Sequence, residues 1–150
     1  MAIVTVEDVL ECAERFEQML AAYYGELSEH AAREGVRMLT DYMSRHRVRI
    51  LEALDKLSCE QVDRTRSVPL RYGPHVADHT CFEGVTLSPD SDAADVLDAA
   101  VNFDECLVRL YRQVLQQDVE EDVKELFESL LHAEQRDEIE LKKIKAMDYF

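Results

Sequence analysis

The chain has 150 residues, which is enough for one domain with a full hydrophobic core, and we expect residues 1–150 to form a single domain. Acidic residues outnumber basic ones by 32 to 17, and the net charge of −15 would repel nucleic acid and anionic lipid, so neither is expected as a partner. The N-terminus lacks the features of a signal peptide, and no apolar run approaches the roughly 20 residues of a membrane span, so we predict a cytoplasmic protein without a membrane partner.

Two apolar periods of helical spacing fill the first third of the chain. The first period begins at Thr5, and Asp8 follows three residues later, which is an approximate capping box. The second period follows a break near Gly35. The short turn between the two predicted helices favours an antiparallel hairpin over residues 5–57.

A second pair of helices is predicted after a long connection. Most prolines and glycines fall in or beside residues 58–91, which we predict to be a crossover long enough to travel the length of a bundle and return. Helix 3 is expected to begin at Ser88 or Ser91, and helix 4 is expected to be capped by Asp118. Their short turn favours a second hairpin over residues 92–147.

The two predicted hairpins repeat one another when the sequence is shifted by 87 residues without a gap. The identical pairs are mostly apolar residues at core spacing, and they include Ala13 with Ala100, Phe16 with Phe103, Leu20 with Leu107, Tyr24 with Tyr111 and Leu39 with Leu126. The same shift aligns three further positions, Glu17 with Asp104, Arg47 with Glu134 and Ile50 with Asp137. The repeat therefore indicates which positions of the two hairpins correspond.

The repeated pattern is Glu-x6-Tyr, then Val-x2-Leu, then a Glu-x2-His position, and it resembles the ferritin-like superfamily and its rubrerythrin-like branch. The resemblance covers both hairpins, about two thirds of the chain, and implies an all-α, up-down four-helix bundle with one long crossover between helices 2 and 3. In that family the four helices supply six ligands to two irons. The chemistry it implies is iron oxidation, peroxide reduction or oxygen activation.

This chain keeps only part of the ligand set that the resemblance implies. The six positions carry Glu17, Arg47, Ile50, Asp104, Glu134 and Asp137. Four of them retain a carboxylate, whereas Arg47 would repel a metal ion and Ile50 offers no lone pair. Four unpaired carboxylates would be costly to bury, so we expect Arg47 to donate hydrogen bonds to two of them. We interpret the residues as a vestigial cluster with Arg47 as its internal cation and with no cofactor.

The same residues allow other arrangements. If helix 2 rotates slightly, His46 could join the four acids around a single iron, manganese or zinc ion; otherwise His46 is a partly exposed residue beside the core. Alternatively, helices 3 and 4 turn their acids towards solvent. Tyr24 and Tyr111 would support the ligands or carry redox chemistry in an active enzyme. Otherwise they are core aromatic residues whose hydroxyl groups bond an acid of the cluster.

The four cysteines are expected to be reduced thiols, as is usual in the cytoplasm. No two of them form a CxxC pair, which argues against a rubredoxin-type or zinc-ribbon centre. Cys12 and Cys106 fall on predicted helices near the core and are interpreted as small buried hydrophobic residues. His75, His79 and Cys81 could form a second metal site in the crossover, although clusters of this size often arise by chance.

Two functions agree with these observations. In the first, the bundle has lost the ordinary di-iron centre and acts as a non-catalytic structural or interaction protein, whose protein partner the sequence does not name. In the second, it binds iron or manganese at an altered site and has an oxidoreductase or metal-handling activity. The resemblance also implies self-association as a homodimer or higher homo-oligomer, and apolar residues on the helix flanks agree with it: Val48, Leu51 and Leu131.

Overall fold

The computed structural model describes residues 4–60, 65–71, 73, 81 and 87–147, with the backbone alone for residues 55–60. Within these ranges the helices are α1 (Val6–His30), α2 (Glu34–Glu60), α3 (Ala93–Leu115) and α4 (Glu121–Met147). α1 packs along α2 and α3 packs along α4. The predicted all-α architecture of two helical hairpins joined by a long crossover is therefore confirmed.

α1 begins at the capping box that the sequence predicts. The Thr5 hydroxyl accepts a hydrogen bond from the Asp8 backbone N–H at 3.3 Å, and the Asp8 carboxylate accepts one from the Thr5 N–H at 2.9 Å. The first residue of the helix also bonds the crossover, because the Val6 N–H donates to the Val68 carbonyl at 3.0 Å. The start of α1 and part of the crossover are thus fixed to each other.

α3 is capped by Asp92, so the predicted start at Ser88 or Ser91 is wrong. The Asp92 carboxylate accepts from the Asp95 N–H at 2.9 Å, and Asp95 reaches back to the Asp92 N–H. The physical reason is that an aspartate caps a helix as well as a serine does, and Asp92 has an acidic partner three residues later.

α4 begins at Glu121, so Asp118 lies outside its N-cap position and the predicted cap is wrong. The end of α3 explains the difference. The Gln116 N–H still donates to the Arg112 carbonyl at 2.9 Å, which extends the turn that follows α3. Asp118 therefore lies in the connection between the two helices.

The core lies between the two hairpins and contains the repeated apolar pairs of the sequence. Fully buried members include Phe16, Leu20 and Tyr24 of α1, Leu39 of α2, Phe103, Leu107 and Tyr111 of α3, and Phe127 of α4. The rings of Tyr24 and Phe103 lie 6.3 Å apart, so the two hairpins meet through aromatic side chains. In the part of the chain that is described, no helix combines length with the apolarity that crossing a membrane requires.

Cys81 and Cys106 form a disulfide, which corrects the expectation of reduced thiols. Their Cα atoms are 6.5 Å apart, within the range that a disulfide can bridge. Cys106 is buried as predicted, although as half of a disulfide, whereas Cys12 is a free cysteine that is only half-buried. His75 and His79 lie outside the described residues, and the disulfide uses the sulfur that Cys81 would have offered to a metal.

Candidate functional site

All four helices direct charged side chains to the centre of the bundle. These side chains are Glu17 of α1, Arg47 of α2, Asp104 of α3, and Glu134 and Asp137 of α4. Glu134 and Asp137 are three residues apart and therefore share one face of their helix. Asp104 and Glu134 are buried, which excludes the alternative in which α3 and α4 turn these acids to solvent. We call the five residues the central cluster.

The Arg47 guanidinium lies among the four carboxylates and contacts each of them. Its Nη1 donates to the two oxygens of Glu17 at 3.1 and 3.2 Å. Its Nη2 donates to Asp104 and, at 3.0 Å, to Asp137. Glu134 Oε2 lies 3.6 Å from Nη1, an ion pair without a hydrogen bond. Hydrogen bonds were expected to two carboxylates and reach three, because the planar guanidinium presents five N–H groups in several directions.

One guanidinium does not balance four carboxylates, and the pKa of one of them, Glu134, is raised in a way that favours its neutral form. Burial raises the pKa of Glu134 well above its usual range, and Glu17 raises it further, partly through a hydrogen bond between the two carboxyl groups. Burial alone would lower the pKa of Arg47, but Glu17 and Glu134 raise it, and the net shift is upward. The Arg47 side chain therefore stays charged, while the Glu134 carboxyl is neutral over a wider pH range than an exposed glutamate.

Some acceptor capacity in the central cluster is unused. Asp104 Oδ2 and Glu134 Oε2 are buried and accept no hydrogen bond from any described residue. One carboxylate oxygen each of Asp104, Glu134 and Asp137 lies within 4.8 Å of the other two. Oxygen atoms in such an arrangement are the ligands that a hard cation such as manganese prefers.

His46 lies at the edge of the central cluster. Its Nε2 is 2.7 Å from Asp137 Oδ1, and its ring stacks on Tyr42 with the ring centroids 6.0 Å apart. The side chain is 34 % exposed, whereas that of Asp137 is 12 % exposed. Asp137 consequently lies between a surface imidazole and the buried Arg47, and it contacts both.

Tyr24 and Tyr111 are buried beside the central cluster. Burial raises the pKa of both phenols, and Arg47 opposes the shift in each case. Among the described residues the Tyr24 hydroxyl finds no hydrogen-bond partner, so the prediction that it bonds an acid is wrong. The carboxylates are directed at Arg47 instead. The Tyr111 ring packs 6.0 Å from that of Phe127.

The structure brings together the four acids and Arg47 and places His46 beside them. Ile50, the remaining residue of the six ligand positions, is half-buried against the core and has no polar atom that could bind a metal. The disulfide of Cys106 was not predicted from the sequence, and Cys106 lies two residues beyond Asp104 on α3. No spacing signal could have revealed it, because its partner Cys81 lies 25 residues away in the crossover.

Glu134→Gln should make the protein relatively more stable than wild type as the pH rises above 4.5, the ordinary pKa of a glutamate. Since the pKa of Glu134 is raised on folding, the native state binds more protons than the unfolded state above that pH. Its contribution to stability is therefore complete at lower pH and is lost as the pH rises through the folded-state pKa. A glutamine amide imitates the protonated carboxyl and removes this loss. Urea denaturation between pH 4 and pH 8 measures the difference.

The matched control for Glu134→Gln is Glu125→Gln, which neutralises an exposed acid on the same helix. We expect the stability of the control to follow that of wild type across the pH range. If Glu134→Gln instead loses stability relative to wild type as the pH rises, Glu134 is ionised in the native protein and no proton is held there.

Comparison with known proteins gives one likeness in structure. No protein-family model matches the chain, and no curated protein sequence matches it. A crystal structure described as that of a ferritin-like diiron-carboxylate protein from Thermotoga maritima superimposes with a TM-score of 0.64 over 97 % of each chain. The sequences are 22 % identical, which establishes the fold and not the chemistry. The chain therefore has the ferritin-like four-helix-bundle fold.

Proposed function

We propose that this ferritin-like bundle has lost the ordinary di-iron centre and acts as a non-catalytic structural or interaction protein. The observation that supports the proposal is the position of the Arg47 guanidinium, whose nitrogens lie within 3.6 Å of all four carboxylates. A metal ion at the same place would compete for the same oxygens and would repel the guanidinium. Arg47 thus supplies the positive charge that a metal ion would otherwise bring.

The donor set also fits a pair of irons poorly. Di-iron sites of this fold combine glutamates with two histidines, one from each Glu-x2-His position. Here α2 offers Arg47 and Ile50, which have no lone pair for a metal, and α4 offers Asp137 in place of the second imidazole. We therefore assign no catalytic step to paired metals in this protein.

A second function is favoured by a separate observation. The oxygens of Asp104, Glu134 and Asp137 lie within 4.8 Å of one another, and two buried oxygens of this group accept no hydrogen bond from any described residue. This arrangement supports binding of a single iron or manganese ion, with metal handling or an oxidoreductase activity as the function. Binding would require an ionised Glu134, against the direction in which its pKa is shifted, and would place a second positive charge beside Arg47.

The metal content of protein purified without chelator separates the two functions. The protein would be incubated with ferrous iron or manganese, freed of excess metal by gel filtration and analysed by elemental mass spectrometry. Under our proposal, the content stays far below one metal per chain. One metal per chain would support the second function, and two metals per chain would contradict the loss of the di-iron centre.

We also propose that the partner of this bundle is a second copy of the chain. α2 exposes Met38 and Tyr42, one turn apart, and the exposed Arg45 lies one turn further on. Arg45 forms an ion pair with Asp41 of the same helix at 3.1 Å, so this stripe offers apolar surface, and packing it against a second copy would remove that surface from water. Of the flank residues named above, Val48 is exposed, whereas Leu51 and Leu131 are half-buried.

Sedimentation at micromolar concentration should show a species of about twice the 17.3 kDa chain mass. Met38→Lys should shift the protein towards the monomer, because it places a charge in the apolar stripe. The control is Met147→Lys, at a methionine that is equally exposed but lies at the end of α4. A wild-type protein that sediments only as the monomer would contradict self-association.

A further inference from the structure

The Cys81–Cys106 disulfide has two chemically different sulfurs. Cys106 lies on α3 and is only 6 % exposed, whereas Cys81 lies in the crossover and is half-buried. Thiol–disulfide exchange begins when a thiolate attacks one sulfur along the S–S axis, so access decides which sulfur is attacked. The more exposed Cys81 is therefore the electrophilic end of this disulfide.

Arg109 makes the other sulfur the better leaving group. It lies one turn after Cys106 on α3, and its Nη2 donates to Cys106 Sγ at 3.3 Å. A guanidinium beside a sulfur stabilises the thiolate over the thiol, and a more stable thiolate leaves faster. The more exposed cysteine and the stabilised leaving group thus lie at opposite ends of one bond.

We propose that Cys81 is a site of thiol–disulfide exchange with low-molecular-weight thiols, with Cys106 as the leaving group and Arg109 as a positioning residue. The incoming thiolate forms a bond to Cys81 Sγ, the Cys81–Cys106 bond breaks, and its electron pair leaves on Cys106 Sγ. A second thiol then attacks the mixed disulfide and releases Cys81. Two small thiols are oxidised to one disulfide, the protein disulfide gains two electrons, and the two thiol protons end on the cysteines.

This exchange does not depend on whether the central cluster binds a metal. Its structural effect is to break the covalent link between Cys81 of the crossover and Cys106 of α3. The same helix carries Asp104, two residues before Cys106. The reverse reaction, driven by a low-molecular-weight disulfide, restores the link.

The site of attack can be mapped in full-length protein that carries Cys12→Ser and Cys59→Ser, so that the thiols of Cys81 and Cys106 alone remain. The protein, prepared without reductant, is treated briefly with glutathione, and N-ethylmaleimide then traps the released thiol. Peptide mass spectrometry should place glutathione on Cys81 and the maleimide on Cys106. Two titratable thiols before glutathione is added, or glutathione on Cys106, would overturn the proposal.

The role of Arg109 is tested by the rate of reduction. Arg109→Gln should slow the second-order reaction with glutathione by about threefold to tenfold, because the leaving thiolate loses its stabilising charge. Arg109→Lys should restore most of the rate. The matched control is Arg15→Gln, since Arg15 lies 3.2 Å from the Sγ of the free Cys12 in the same helical geometry. Equal rates for Arg109→Gln and the control would overturn the assignment of Arg109.

Discussion

Replacing Arg47 with alanine should lower the free energy of unfolding by about 3–5 kcal/mol at neutral pH, the usual loss when one partner of a buried ion pair is removed. The Arg47 side chain is 2 % exposed and contacts four carboxylates, so its removal leaves several negative charges in a site that water hardly reaches. Urea denaturation monitored by circular dichroism measures the loss directly.

The loss should shrink as the pH falls towards about 5, where carboxyl groups with raised pKa values take up protons. Without Arg47, the pKa values of the orphaned acids rise in the folded state, so the native variant binds more protons than its unfolded chain and gains stability on acidification. Arg45→Ala is the matched control, because Arg45 is two residues away and its side chain is 76 % exposed. If Arg47→Ala lowers the free energy of unfolding no more than this control does, Arg47 does not neutralise the acids.

The triple substitution Arg47→Glu, Ile50→His and Asp137→His should make stability depend on metal. It supplies both Glu-x2-His positions that the ferritin-like resemblance implies and removes the central cation. In chelator, the variant should be less stable than wild type because the acids lose their counter-charge. Ferrous iron or manganese should restore about 2.7 kcal/mol at a concentration of 100 Kd, since the ligand binds only the native state.

The double substitution Ile50→His and Asp137→His, which retains Arg47, is the control for the triple variant. We expect it to show no stabilisation by metal, because the guanidinium still faces the remaining acids. Thermal unfolding with and without metal compares the two proteins. If metal does not stabilise the triple variant either, the helices no longer hold the six positions in the geometry of a metal site.

Much of the fold could be predicted because helical periodicity is a local signal. The shift of 87 residues also aligned the core positions of both hairpins, including Phe16 with Phe103, and both residues are buried. Helix starts were less predictable. Ser88, Ser91 and Asp92 are all suitable caps by residue type, and only the path of the crossover decides which one meets the start of α3.

The acids of the central cluster could be proposed from the sequence because the ferritin-like resemblance places Glu134 and Asp137 at a Glu-x2-His position. Their partners followed from the repeat, which aligned Glu17 with Asp104. The raised pKa of Glu134 could not be predicted, because it depends on side-chain distances within a low-dielectric interior. The disulfide was also inaccessible to sequence reasoning, since a distant cysteine pair is identified only when the chain folds.

Our central proposal is that Arg47 takes the place of metal ions in the ferritin-like bundle. Anomalous diffraction from wild-type crystals grown with ferrous iron or manganese, collected at the absorption edge of the metal, tests it most directly. We expect no anomalous peak among the four carboxylates, and we expect the Arg47 guanidinium to lie between Glu17 and Asp104. Two peaks among these carboxylates, with Arg47 displaced from the centre, would contradict the proposal.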